Sequence, residues 1–157
     1  MQERGYCDVE VITTGCVVAP KGFKAGTTYC GIKIAKDSLD LGIIFSEYPA
    51  TGAALFTTNQ IYAAPVGLSK KISQKGCVRA FIINSGNANA CTGEQGYKDA
   101  GEMLRIAAKC LKISADELLV ASTGIIGRPL PMDKIAIGIK TAAASLGNAP
   151  EHGNAMA

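Results

Sequence analysis

Residues 77–96 read CVRAFIINSGNANACTGEQG, and the change of character within this stretch decides the fold class. Residues 77–84 form a mostly apolar, β-branched run, the pattern of a strand covered on both faces. Over residues 84–96 large apolar side chains vanish, and Asn84, Asn87 and Asn89 stand beside Gly86, Gly93 and Gly96. A helical pattern begins at once after them. A turn of this kind presents backbone N–H groups near a helix N-terminus, which suits an anion or a developing oxyanion. The same composition suits a tight connection that passes close to neighbouring backbone, with Asn and Gly at positive φ. No Gly-Lys-Ser/Thr closes the stretch and its glycines do not fit GxGxxG, so a nucleotide phosphate is not the expected ligand.

Working outward, the first half of the chain reads as strand after strand. Residues 14–19, 31–35, 39–46 and 53–58 are short apolar or β-branched runs separated by Gly, Pro and Asp. Downstream, Ala100, Met103, Leu104, Ala107, Ala108 and Leu111 recur at helical spacing and predict a helix over 95–111, with Thr92 and Gln95 as a capping box. Ser114 and Glu117 give the same capping pattern to a short helix over 114–118. A third helix is predicted over 131–146, with Pro131 in its first turn, Ile135, Ile139, Ala142, Ala143 and Leu146 as its buried stripe, and Gly147 as its stop. Between the last two helices, residues 119–122 form a short strand. Strands followed by helices predict an α/β fold, a mixed sheet with helices packed on it. Residues 148–157 read as a weakly patterned tail.

The chain has 157 residues, enough for one domain with a real core. A net charge of +3 with dispersed Lys and Arg argues against nucleic acid as the main partner. No apolar run approaches the roughly 20 residues of a membrane span, and residues 1–5 carry no signal core, so the chain reads as soluble and cytoplasmic. Cysteines at 7, 16, 30, 77, 91 and 110 form no CxxC pair, and His152 is the single histidine. Neither a zinc site nor a disulfide framework is expected, and most of these cysteines read as small buried hydrophobes.

Two further segments invite chemistry. Residues 121–127, ASTGIIG, place a hydroxyl and a glycine N–H at the end of a strand, where Thr123 and Gly124 could direct two donors at one acyl oxygen. By spacing alone, a turn in which Ser122 and Thr123 cap their own backbone is the commoner arrangement. Residues 20–31, PKGFKAGTTYCG, form a turn whose Lys21 and Lys24 could meet a carboxylate, although loop lysines are more often only solvated. A self-contained Cys–His pair or Ser–His–Asp triad would have to use His152, which has no obvious orienting partner. Asp37, Asp40 and Glu47 read as surface charges at strand edges. The catalytic set is incomplete.

Residues 17–31, Phe56-Thr57-Thr58-Asn59, Ala63-Ala64-Pro65-Val66, residues 84–96 and residues 121–132 (ASTGIIGRPLPM) together resemble the ornithine acetyltransferases, the bifunctional glutamate N-acetyltransferases, over about residues 14–147. The resemblance implies a DmpA/ornithine-acetyltransferase-like layered sandwich of two mixed sheets with flanking helices. It implies a precursor that cuts itself before a threonine, and residues 1–157 would be the single-domain, N-terminal α-chain part of it. The new N-terminal threonine, on the β chain, would carry the acetyl group from N-acetylornithine to glutamate in arginine biosynthesis. Its own α-amino group would act as base, so no histidine is needed. No cofactor is implied, although some members also accept acetyl-CoA as donor. The implied assembly is an αβ heterodimer that pairs into a heterotetramer. The family's oxyanion-hole pair falls on Thr123 and Gly124. The family's Thr-Thr-Asp segment, substrate-contacting lysine and cleavage site are not seen here. The chain therefore reads either as a truncated α fragment or as one ending at Ala157 before the cut bond, with its nucleophile elsewhere. A non-catalytic α fragment and an N-terminal-threonine amidohydrolase are the alternatives.

Overall fold

A computed structural model describes residues 11–35 and 38–156. Its strands are β1 (Phe23–Thr28), β2 (Leu41–Thr51), β3 (Cys77–Asn87) and β4 (Leu118–Ile125). Its helices are α1 (Ala64–Ser73), α2 (Gly93–Leu111), α3 (Met132–Ala144) and α4 (Pro150–Asn154), with a 3-10 turn at Ala115–Glu117. The strands form one mixed sheet in the order β1-β2-β3-β4. The first two pairs are antiparallel, while β3 and β4 run parallel. This is the expected α/β layer of mixed sheet and flanking helices.

Alternation along the strands builds the core. Leu41, Ile43, Ala80, Ile82, Leu118 and Val120 are buried with Met103, Ala107, Ile135 and Ile139 of α2 and α3. Phe81 and Ile83, between them on β3, are only half-buried. The helical stripe predicted for α2 is the buried one, from Ala100 through Ala108. On α3, Ile135, Ile139 and Ala142 are buried as expected, and Gly138 joins them. Pro131 is the N-cap rather than a residue of the first turn. Gly147 lies beyond the C-cap, Ser145, and exchanges backbone hydrogen bonds with Ala25. Ser114 makes its capping box with Glu117. Thr92 does not cap α2; its hydroxyl donates to Asn89 Oδ1 at 2.8 Å, and Gln95 turns to Asp99.

Several expected strands are absent for physical reasons. Residues 14–19 are turns, and residues 53–58 are irregular and largely exposed. Residues 31–35 are bends because the N–H groups of Gly31, Ile32 and Lys33 go to the Asp40 carboxylate instead of to a neighbouring strand. Conversely, the segment read as a lysine turn contains β1, and Lys24 on it pairs with Glu47. The tail contains α4, which packs on β1. Asp37 lies outside the described residues, as does Cys7. Cys16, Cys30 and Cys77 are half-buried, whereas Cys91 and Cys110 are exposed, so the expectation that most cysteines are buried is not met among the described residues. No helix among the described residues is long and apolar enough to cross a membrane.

Helix α1 has Pro65 at its first turn and buries Gly67, Ser69 and Ile72. It runs beside β4, the last strand of the sheet, and guards its open edge. Ser69 Oγ accepts the Val120 N–H at 3.0 Å and donates to the Val120 carbonyl at 2.8 Å. One buried hydroxyl thus substitutes for a neighbouring strand at that position. Replacing Ser69 by Ala orphans both groups and should cost about 1–3 kcal/mol of unfolding free energy. Denaturant titration of S69A against wild type checks this, and an unchanged midpoint and slope would refute the role.

Candidate functional site

The strand that bears Thr123 and Gly124 runs on to Ile125, so both residues belong to β4 and not to a turn after it. In the parallel ladder Ser85 stands beside Thr123, Gly86 beside Gly124 and Asn87 beside Ile125. Gly124 has φ 129°, and a Cβ there would overlap the backbone, lying 2.6 Å from the Asn87 nitrogen and 2.7 Å from Gly86 Cα. Only glycine fits both the conformation and the space.

The direction of the Gly124 N–H follows from strand alternation. Val120 turns its N–H and carbonyl away from β3, toward Ser69 on the open edge. Backbone groups of residues two and four further along point the same way. Ile125, of the opposite parity, turns its carbonyl toward the β3 side and accepts from Ala88 N–H at 2.9 Å. The Gly124 N–H therefore faces out of the open edge, where α1 no longer covers the strand. Thr123 and Gly124 are both exposed. A cleft of about 290 Å³ follows this edge between α1 and the irregular segment, lined by Leu55, Phe56, Pro65, Ser69, Ala121 and Ser122. The lining ends at Ser122, one residue before Thr123.

The Asn-rich segment serves this edge by tying chain to chain. Asn84, fully buried, donates from Nδ2 to the Asn87 carbonyl at 2.8 Å. Asn87 Nδ2 donates to the Arg128 and Pro129 carbonyls at 3.2 and 3.0 Å, and its Oδ1 accepts the Asn89 N–H at 2.9 Å. Asn89, at φ 46°, donates to the Gly96 carbonyl at 2.8 Å. Gly127 N–H completes the stitching to the Ala90 carbonyl at 2.8 Å. The segment is thus the tight connection of the plainer reading, and the Asn87 and Asn89 amides are spent on backbone rather than offered to an anion. Lys24, engaged with Glu47, is not free for a carboxylate either.

Asp40 escaped the sequence reading. It is 2% exposed, not a surface charge. Its Oδ1 accepts Cys30 N–H at 2.7 Å, and its Oδ2 accepts those of Gly31, Ile32 and Lys33 at 3.0, 2.7 and 3.1 Å. Burial alone would raise the carboxyl, but the donors from Cys30, Lys33 and Ile32 outweigh it and hold it below its ordinary value. Burial, then the Asp40 carboxylate beside it, pushes the Cys30 thiol up to about 12. The signal in the sequence was an acid set directly before an apolar run, LGIIF, where a free charge has no place.

A mixed sheet backed by helices, with an exposed Thr-Gly pair at the end of its parallel edge strand, defines an α/β fold. The chain belongs to the ArgJ family, whose profile matches residues 24–157. It is 50% identical over 135 residues to the arginine biosynthesis bifunctional protein of Caldanaerobacter subterraneus subsp. tengcongensis, covering 86% of this chain and 33% of that protein. With the Lactococcus lactis counterpart it shares 45% identity over 135 residues, 86% of this chain and 34% of that protein. The chain thus spans about a third of the length of these relatives. The crystal structure of the Bacillus halodurans arginine biosynthesis bifunctional protein superposes with a TM-score of 0.87 at 39% identity, over 92% of this chain and 74% of that one. The ornithine acetyltransferase of Mycobacterium tuberculosis, crystallised with ornithine, gives 0.86 at 39% identity, over 92% and 77%.

Two outcomes are expected of these environments. At pH 8 a thiol reagent should label exposed Cys91 and Cys110 in the native chain and spare Cys30, since the thiolate is the nucleophile; mass spectrometry of the labelled peptides decides it. Because its folded value is depressed, Asp40 contributes stability that is present above about pH 3.9 and is lost as pH falls through the lower folded value. The stability gap between wild type and Asp40→Asn should therefore narrow below about pH 4, as read from urea titrations at pH 7 and pH 3.

Proposed function

We propose that this chain is the α-chain portion of an acetyltransferase of arginine biosynthesis, which moves an acetyl group from N-acetylornithine to glutamate. The observation that carries the reading is that Thr123 and Gly124 stand exposed together at the open end of β4, where strand alternation turns the Gly124 N–H outward. The ArgJ membership of the chain, the names of its relatives and the ornithine held by one of them support the choice of substrate.

In this reading the nucleophile is the N-terminal threonine of a β chain released from the same precursor by self-cleavage. Its hydroxyl attacks the acetyl carbonyl of N-acetylornithine while its α-amino group takes the proton. The carbonyl oxygen becomes an oxyanion, and the Thr123 O–H and Gly124 N–H donate to it. Collapse breaks the C–N bond, the ornithine amine leaves with the proton, and the acetyl group stays on the threonine. The amine of glutamate then attacks that ester, giving its proton to the threonine α-amino group and forming a second oxyanion at the same two donors. Collapse breaks the C–O bond to threonine, whose oxygen takes the proton back as N-acetylglutamate leaves. No metal or bound cofactor is needed, and acetyl-CoA would enter only as a second acetyl donor. The α and β chains form a heterodimer, and two heterodimers a heterotetramer, in the cytoplasm.

Fixed donors act where charge develops and need no reorganisation when the bond forms, so losing one lowers kcat by about 10²–10³-fold. Thr123→Ala in the complete, processed gene product should fall in that range, followed by acetyl transfer from N-acetylornithine to glutamate. An unchanged rate removes Thr123 from the mechanism. The isolated chain should give no turnover, and measurable transfer by it would place the nucleophile within these residues.

A further inference from the structure

We propose that Asp40 is a positioning residue for the Thr123–Gly124 pair, acting through the loop that its carboxylate holds at residues 30–33. The inference rests on the reading of Thr123 and Gly124 as oxyanion donors. The path from carboxylate to strand end is short and continuous. Four successive N–H groups, from Cys30 to Lys33, converge on the two oxygens of Asp40. The loop so gathered lies against Gly86: a Cβ there would meet Lys33 Cγ at 3.0 Å and Ile32 Cγ2 at 3.1 Å. Gly86 is in turn the register partner of Gly124, where a Cβ would lie 2.7 Å from Gly86 Cα.

Asp40 also fixes its surroundings through its own backbone. Its N–H donates to the Thr28 carbonyl at 3.1 Å and its carbonyl accepts the Ser85 N–H at 2.9 Å, one residue before Gly86. Lys134 Nζ, from α3, donates to the Gly31 carbonyl at 3.2 Å on the loop's far side. Residues 31–35 make no strand ladder, and the carboxylate is what the N–H groups of Gly31, Ile32 and Lys33 have in its place. Without it the loop is free to lift from Gly86. Both glycines, at φ 106° and 129°, then lose the packing that holds their peptides, and the Gly124 N–H loses its aim.

The test uses the complete, processed gene product with Asp40→Asn, Thr123→Ala and the double variant, assayed well below the melting temperature of each. Asn keeps the size of the side chain but cannot accept all four N–H groups. Displacing a preorganised donor by a fraction of an ångström should lower kcat by about tenfold or more and change KM by less than about twofold. Because Asp40 and Thr123 serve one donor pair, the double variant should lose less than the product of the two single losses. Losses that multiply, or an Asp40→Asn kcat equal to wild type, overturn the positioning role while leaving the oxyanion pair intact. An unchanged rate for Thr123→Ala fells the oxyanion reading, and this inference with it. Should Asp40→Asn not fold, Ile32→Ala keeps the carboxylate bonds and removes only methyl groups above Gly86. It should show a several-fold loss of kcat with the same sub-multiplicative coupling, and independence from Thr123→Ala would count against the proposal.

Discussion

Gly86 on β3 and Gly124 on β4 meet across the parallel pair so closely that a Cβ on Gly124 would overlap the Gly86 backbone. Parallel strands need a crossover, and here α2 and the 3-10 turn supply it, returning the chain with the same direction beside β3. The close contact then fixes how β4 ends. Its last residues keep strand alternation past the cover of α1, leaving one hydroxyl and one N–H at an open edge. A bulkier residue at Gly124 would part the strands and turn those groups elsewhere.

Around this contact, buried side chains take the hydrogen-bonding roles that a strand partner would otherwise fill. Ser69 closes the edge at Val120, Asp40 gathers the N–H groups of residues 30–33, Asn87 ties the end of β3 to the segment after β4, and Asn84 and Asn89 brace the turn between β3 and α2. Each is buried, so its bonds are shielded from competing water, and leaving any of the backbone groups unpaired would be costly. The result is a densely hydrogen-bonded base beneath an exposed strand end.

Parts of this were legible because their causes are local. The stripe from Ala100 to Ala108 lies within one helix, so its period is visible in the chain. The capping box of Ser114 and Glu117 spans four residues, and the tight turn after β3 announces itself in Asn and Gly. The rest depends on distant partners. Strand β1 is FKAGTT, neither alternating nor strongly apolar, and is a strand because β2 pairs with it. Helix α1 buries Gly67 and Ser69, which carry no hydrophobic signal, because its neighbour is a strand edge needing a hydroxyl. Thr123 and Gly124 stood out through their resemblance to a family and not through spacing.

The sequence by itself determined the helices α2 and α3, the small-residue connection after β3, and membership of a family whose motifs run from residue 17 to 132. These follow from side-chain period and local backbone preference, which need no knowledge of where the chain returns. Only the tertiary structure decided that Asp40 is buried, that Ser69 stands in for a strand, and that the Gly124 N–H points outward rather than into the sheet. Each of those depends on which residue, tens of positions away, arrives opposite, and a hydrogen bond or a burial belongs to the pair and not to either residue alone.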